Sequence, residues 1–273
     1  MAGKRSVEEL PEECLSHVIT FTGPGDACRS SAVSGMFRGA ADSDLVWDRF
    51  LPSDYREIVS RSVSPVEFSS KKELFAKLSS SPLLIDGATK TFSIDKYTNK
   101  RCYMLSAKEL SITWSTNPLC WCWKPIPMSR FPEAIELISV CRLEILGKFN
   151  AQMLSPNTTY GAYLVIKLNN RAFGLSVMPS EVSVEVGSYK TNGKIYVTQD
   201  GCKRQELDAP IDERVPCTRV DGWLEVELGQ FYINNASDNN NNNKEVKMEF
   251  REVKSEQLKG GLIVEGIELR PKH

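Results

Sequence analysis

Histidine is nearly absent from this chain: His17 and His273 are the only two among 273 residues. Cysteine-nucleophile chemistry needs an imidazole beside the thiol, and neither histidine has an argument for that role. Zinc is excluded on similar grounds, because Cys14-x-x-His17 and Cys120-x-Cys122 are isolated fragments without a second pair at ligand spacing. Long apolar runs are also missing. Nothing approaches the run of about 18 residues that a membrane-spanning helix needs. The opening MAGKRSVEELPEE has no apolar centre and turns acidic at once, unlike a secretory signal. An excess of either charge is lacking too. The formal net charge of −1 predicts no general pull toward nucleic acid or an anionic membrane. No phosphate-binding glycine loop or dinucleotide fingerprint follows a strand. These absences predict no catalytic residue, metal or cofactor, and a protein of the cytoplasm and nucleus. There the eight cysteines stay reduced, and the sequons at Asn157 and Asn235 stay unglycosylated.

What remains is an ordinary globular composition, 41% hydrophobic and 25% charged, distributed unevenly. Residues 7–50 carry helical punctuation. Pro11 suits a first helical turn, and Glu12 and Glu13 suit its positive end. Cys14, Leu15, Val18 and Ile19 then form one apolar stripe. Gly23-Pro24-Gly25 stops it, and a short helix is expected after Asp26. Ser34 is placed to cap a helix bearing Met36 and Phe37; Asp42-Ser43-Asp44 is placed to cap one bearing Leu45, Val46 and Trp47. This segment holds more apolar residues than so small a bundle can hide. The surplus packs on the rest of the chain or faces a partner.

Residues 59–70 are serine-rich and contain Pro65, which reads as a linker. Ser70-Lys71-Lys72-Glu73 has capping-box form and opens a helix through Leu78. From Leu83 onward the period changes to two, in 89–94, 142–145, 160–168, 182–186 and 224–228, which predicts antiparallel strands. Asn169-Asn170, Asn192-Gly193 and Asp200-Gly201 are turn candidates. Residues 237–244, with their asparagine run, read as a solvated loop. Residues 261–269 read as a closing strand kinked at Gly266.

Three indoles, Trp114, Trp121 and Trp123, fall within ten residues of this β-rich part. An indole covers the C–H face of a sugar, while neighbouring carboxylates accept its hydroxyl hydrogens. It is equally a core side chain. Trp121 and Trp123 share strand parity, as do Trp223, Glu225 and Glu227, opposite Leu224, Val226 and Leu228. Carboxylates two apart on a strand lie about 7 Å apart, within the range of inverting glycosidases. Such a pair must face its partner across a cleft in unlike environments, which neighbours on one exposed strand do not do.

Two resemblances emerge. Leu10-Pro11-Glu12, Ile19, Ser34, Phe37, Asp44, Trp47 and Phe50-Leu51-Pro52 resemble an F-box of a plant subgroup. The remainder resembles the phloem protein 2 lectins, which share their domain with the tobacco leaf agglutinin. The matching pieces are Ala107–Trp114, Trp121-x-Trp123, Ser129-Arg130-Phe131, Leu154-Ser155-Pro156-x-Thr158-x-Tyr160, Arg219-x-Asp221 through Gly229, and Arg270-Pro271. The resemblance implies an α+β protein in two domains. A small helical F-box (residues 1–55) is followed by a linker with a short helix (56–82). An antiparallel, jelly-roll-like β-sandwich of lectin type takes residues 83–273. It implies docking on a Skp-type adaptor and, through it, a cullin, with the β domain presenting a target protein for ubiquitin transfer. Recognition uses the target's protein surface or its N-acetylglucosamine-containing glycans. The alternative is an intracellular lectin with no part in ubiquitin transfer. For the adaptor, the candidate contacts are Leu10, Pro11, Leu15, Ile19, Val33 and Trp47. For carbohydrate, the resemblance points to Trp114 and Trp121, and strand parity adds Trp123, Trp223 and Glu225. One position departs from the family: Cys120 stands where many relatives carry an aromatic, and it cannot stack or hydrogen-bond as tyrosine does.

Overall fold

A computed structural model of the chain describes residues 10–198, 213–214, 216–234 and 245–272. The expected turn at Asp200-Gly201, the Asn235 sequon, the asparagine-rich loop and His273 lie outside the described residues. The protein is α+β, with mainly antiparallel sheets, and divides into two compact units.

The first unit runs through Ile85 and includes Phe92–Arg101. Its helices are α1 (Glu12–Ile19), α2 (Pro24–Ser30), α3 (Gly35–Asp42), α4 (Asp44–Phe50), α5 (Tyr55–Ser60) and α6 (Lys71–Ser80), followed by strand β1 (Leu83–Ile85). The side-chain caps of α3, α4 and α6 are those that the sequence predicts. The Pro11 carbonyl accepts the Cys14 and Leu15 amides at 2.9 and 3.2 Å. Gly23 precedes Pro24 at the first turn of α2, ahead of the start expected after Asp26. Ser34 accepts the Phe37 amide and Ser43 the Leu45 amide, each at 3.3 Å. Ser70 accepts the Glu73 amide at 3.2 Å, and the Glu73 carboxylate reaches back to the Ser69 amide at 2.8 Å, one residue beyond the usual capping box.

The core of this unit is aromatic. The Trp47 ring meets Phe50 at 5.6 Å and Phe75 at 5.3 Å between centroids, and its indole N–H donates to the Ala41 carbonyl at 2.7 Å. Leu74, Phe75 and Leu78 of α6 are buried alongside. Ion pairs Lys71–Asp48 and Lys72–Asp42, both 2.6 Å, hold α6 to the α3–α4 corner. Helices α5 and α6 thus fill much of the stretch read as a linker, and α6 shares its core with α4.

The second unit takes Asp86–Thr91 and the chain from Cys102 onward. Strand β2 (Lys90–Ile94) is divided between the two units. The strands that follow are β3 (Arg101–Ser106), β4 (Ser111–Ile112), β5 (Trp121–Lys124), β6 (Ala134–Leu137), β7 (Leu143–Asn150), β8 (Thr158–Phe173), β9 (Ser180–Val186), β10 (Tyr189–Ile195), β11 (Glu213–Arg214), β12 (Cys217–Thr218), β13 (Leu224–Ile233), β14 (Glu245–Glu252) and β15 (Gly260–Pro271). One sheet runs β3-β15-β8-β13-β12, with β6 also paired to β15 and β5 to β6; the other runs β11-β10-β9-β14-β7-β4. Every pairing named is antiparallel except β10 with β11.

Side chains of the two sheets meet. Tyr103 of β3 and Phe149 of β7 have ring centroids 5.1 Å apart. Gly147 leaves room for Ile267, whose Cδ1 would lie 2.7 Å from a Cβ placed there. The Leu154–Tyr160 motif is structural: the Ser155 amide donates to the Tyr160 hydroxyl at 3.0 Å, and Tyr160 stacks on Phe231 at 6.0 Å. Strand β15 is paired on both edges and is bulged. Its register with β8 shifts between Val264 and Gly266, which takes Glu265 out of the ladder. Gly266 is required there, since a Cβ would lie 1.9 Å from the Leu105 carbonyl oxygen. Two expected turns are strand instead. Asn169-Asn170 lies in β8 opposite a second bulge between Gly260 and Leu262. Asn192-Gly193 pairs with Ser183 and Val182, and the β9–β10 hairpin turns at Gly187 (φ +59°) and Ser188.

Candidate functional site

The helical unit divides the expected adaptor contacts into two sets. Leu15, Ile19 and Trp47 are 2–3% exposed and belong to the unit's own core. Their surface is spent on α3, α4 and α6, which leaves nothing for a partner. Leu10, Pro11 and Val33 are exposed. Val18, Met36 and Leu45, read from sequence as apolar helix residues but not among the expected contacts, are exposed as well, and so is Phe21, which the sequence reading missed. Phe21, 76% exposed, meets His17 edge-on at 5.1 Å. Its only sequence signal is a large aromatic just past the end of α1.

In the β unit the indoles also part company. Trp121 is 2% exposed and donates its N–H to the Thr113 carbonyl at 2.9 Å. Trp223 is fully buried and donates to the Met128 carbonyl at 3.4 Å. Both are core side chains with satisfied N–H groups, whatever their strand parity. Trp123 is half-buried, with the Lys108 ammonium 5.8 Å from its ring centre. Trp114 is 62% exposed and sits at φ +64°. That left-handed backbone is costly for a bulky residue, and the surrounding turn imposes it. The Trp114 carbonyl accepts the Asn117 amide at 2.9 Å, and the Asn117 carbonyl accepts the Cys120 and Trp121 amides at 2.9 and 3.0 Å. The loop from Thr113 to Trp121 thus anchors one indole beneath and presents the other outward. Cys120 lies within the same turn, half-buried.

Glu225 belongs to a different arrangement. Arg270 grips it through two nitrogens at 2.9 and 2.7 Å, and Arg219 approaches at 3.3 Å. Glu268 accepts from Arg219, from Arg130 at 3.2 Å and from Arg270 at 3.5 Å. Asp221 accepts the Trp223 amide at 3.1 Å and holds Arg219 Nε at 3.4 Å. The Arg270 guanidinium lies 3.9 Å from the Tyr163 ring centre. Burial pushes the Glu268 carboxyl up, but Arg130 and Arg219 outweigh it and leave its pKa below the usual range. Burial likewise pulls Arg270 down, and Glu225 and Glu268 more than offset it. Beneath lies Glu265, 1% exposed, whose Oε1 accepts the Arg130 amide at 2.6 Å while its Oε2 has no hydrogen-bond partner among the described residues. Burial raises its pKa.

Three separate segments, Arg130, the 219–225 run with Arg219, Asp221, Trp223 and Glu225, and Glu268 with Arg270, thus converge on one face of β13 and β15. Opposite charges interdigitate and occupy one another. The glycosidase reading of Glu225 and Glu227 fails on this geometry: Arg270 and Arg219 hold the first, and Lys272 holds the second at 2.8 Å. What the network does is fix the 126–130 loop and the 219–223 turn to the sheet. Among the described residues no cluster of His, Cys, Asp and Glu could hold a metal ion, and no helix is long and apolar enough to cross a membrane.

Residues 100–271 match the family model for phloem protein 2. Over nearly its full length the chain is also similar to proteins of Arabidopsis thaliana. It is 44% identical to F-box protein PP2-B15, with 96% of each chain covered. It is 42% identical to F-box protein VBF, covering 96% of this chain and 99% of the other. The chain belongs to the plant F-box/phloem protein 2-like family. Among solved structures, a carbohydrate-binding module, TmCBM61 in complex with β-1,4-galactotriose, aligns with 60% of this chain and 87% of its own at TM-score 0.32 and 8% identity, too distant a likeness to carry an argument.

Proposed function

We propose that this protein is the substrate-recognition subunit of a Skp–cullin–F-box ubiquitin ligase, working in the cytoplasm and nucleus. Residues 1–55 act as the F-box, residues 56–82 brace and connect it, and residues 83–273 form a jelly-roll-like sandwich that presents the target. The observation that carries this reading is the set of exposed apolar side chains on the helical unit, Leu10, Val18, Phe21, Val33, Met36 and Leu45. So many exposed apolar groups on so small a unit fit a partner with an apolar groove, and the relatives' F-box names supply the class of partner. The chain supplies no ubiquitin-transfer chemistry of its own; it holds the target near enzymes that do.

The test is binding to a purified Skp-type adaptor. Phe21→Asp and Val33→Asp alter exposed positions and leave the core intact. Each is expected to weaken adaptor binding at least tenfold, about 1.4 kcal/mol. Unchanged affinity in both variants would remove the adaptor from the reading. A second reading, an intracellular lectin without a ligase role, draws support from Trp114, a large aromatic held outward at φ +64°. Retention on N-acetylglucosamine oligomers with no adaptor binding would favour it. Retention of both ligands would make the protein a receptor for glycosylated targets.

A further inference from the structure

The serine-rich stretch between α5 and β1 has no part in the docking described above, and its hydroxyls are not equivalent. Most of them are occupied. Ser60 donates to Glu57, Ser62 to Ser64, Ser69 to Glu73, Ser79 to Ala76 and Ser80 to Lys77, while Ser70 caps α6. Ser64 and Ser81 are exposed, and neither hydroxyl has a partner among the described residues. They are also the two serines of this stretch that precede a proline, Pro65 and Pro82. Both line one surface cleft of about 240 Å³ together with Glu67 and Lys77. The remaining Ser-Pro pair of the chain, Ser155-Pro156, is buried at its serine.

We infer that Ser64 is a phosphorylation site for a proline-directed protein kinase, with the Lys77 ammonium as the cation that receives the phosphate. A proline after the acceptor biases that residue to an extended backbone, the form a kinase cleft threads. Ser64 lies in a stretch without helix or strand, residues 63–70, so the residues after it can be drawn into such a cleft without unwinding a helix or strand. Ser81 is less suited. It is the C-cap of α6, where its amide is committed to the Lys77 carbonyl at 3.1 Å and a dianion would meet the negative end of the helix. The kinase breaks the bond from the γ-phosphorus of ATP to the bridging oxygen, which leaves with ADP. The new bond joins that phosphorus to Ser64 Oγ, and the hydroxyl proton passes to the kinase's base; nothing is oxidised or reduced. The product carries a charge of about −1.5 to −2 at neutral pH. Lys77 now bonds Glu73 at 2.8 Å and the Glu67 carbonyl at 2.5 Å, so it already spans the floor of this cleft from α6 to the 64–67 segment. The phosphate would draw it away from Glu73.

The test uses the full chain, a proline-directed serine/threonine kinase and ATP, with phosphate mapped by mass spectrometry. Incorporation at Ser64 is expected, with at least a tenfold loss of total label in Ser64→Ala and in Pro65→Ala. Both positions are exposed, so folding should be unaffected, and circular dichroism checks this. Phosphorus NMR then follows the second ionisation of the phosphoserine. Its pKa should lie below the ordinary value of about 6 and return toward it in Lys77→Gln. Label that survives Ser64→Ala, label confined to Ser81, or no label at all overturns the site. A phosphate pKa indifferent to Lys77→Gln overturns the assignment of its cation.

Discussion

Trp114 and Trp121 lie seven residues apart, and substituting them should move stability in opposite directions. Trp121 is buried and its N–H is satisfied by Thr113. A buried indole removes about 150–250 Å² from water, and at about 25 cal/mol per Å² its loss is worth roughly 4–6 kcal/mol as an upper bound. Trp121→Ala also leaves the Thr113 carbonyl without its donor, at about 1 kcal/mol; with the burial figure discounted for a compact unfolded chain, an overall cost of about 4 kcal/mol is expected. At Trp114 the side chain is largely in water and the backbone is left-handed. Relief of that conformation in Trp114→Gly is worth about 1–2 kcal/mol, and the greater freedom of glycine in the unfolded chain takes back about 0.5–1 kcal/mol. The net expectation is between no change and about 1 kcal/mol of added stability. Urea unfolding of the β domain, read by near-ultraviolet circular dichroism, measures both. Binding of N-acetylglucosamine oligomers to the same proteins, followed by calorimetry, should be lost in Trp114→Gly if this indole is the sugar platform. A loss of more than about 1 kcal/mol in Trp114→Gly would refute the exposed, strained description. A cost below about 1 kcal/mol in Trp121→Ala would refute its place in the core.

Other consequences follow from the buried charges. Lys259 is fully buried against Glu252 and also donates to the Cys141, Ser255 and Gln257 carbonyls. Lys259→Met alone should cost about 3–5 kcal/mol by stranding the Glu252 carboxylate, and adding Glu252→Met should recover part of it, both measured by urea unfolding. Glu265 has a raised folded-state pKa, so the folded protein holds that proton more tightly than the unfolded chain does. Its contribution to stability is therefore present below the unfolded value of about 4.3 and is lost as pH rises through the folded one. Glu265→Gln should remove this fall, and a pH series of unfolding curves that leaves the slope unchanged would refute it. Glu268, with a lowered pKa, acts in the opposite sense: its stabilisation is present above about 4.3 and fades as pH drops.

The sequence showed the helix starts well, because Pro11, Ser34, Ser43 and Ser70 each leave a local chemical mark. It did not show α5, whose start carries no side-chain cap and whose place is set by burial of Tyr55 and Ile58. Strand positions such as 182–186 were legible from alternation, whereas the hairpin turn was misplaced at Asn192-Gly193, because Gly187 takes the positive φ that the hairpin needs. Parity placed Trp121 and Trp123 on one face but could not tell which of them the Thr113 loop covers. Glu265 was hidden for a related reason: a bulge breaks the two-residue period, so alternation cannot say which way its side chain turns. The members of the arginine–carboxylate network were visible as separate motifs. Their meeting was not, since Arg130 and Glu268 are 138 positions apart.

The place of β15 bears on how this domain is made. It is the last strand of the domain in chain order, yet it lies inside its sheet, bonded to β3, β6 and β8. A ribosome must therefore complete nearly the whole domain before the sheet can close, and until then β3 and β8 present open edges. Contacts of such long sequence separation form slowly, and unpaired strand edges are prone to aggregate until the sheet closes. A prematurely terminated chain would lack β15 and leave the β3 and β8 edges unpaired.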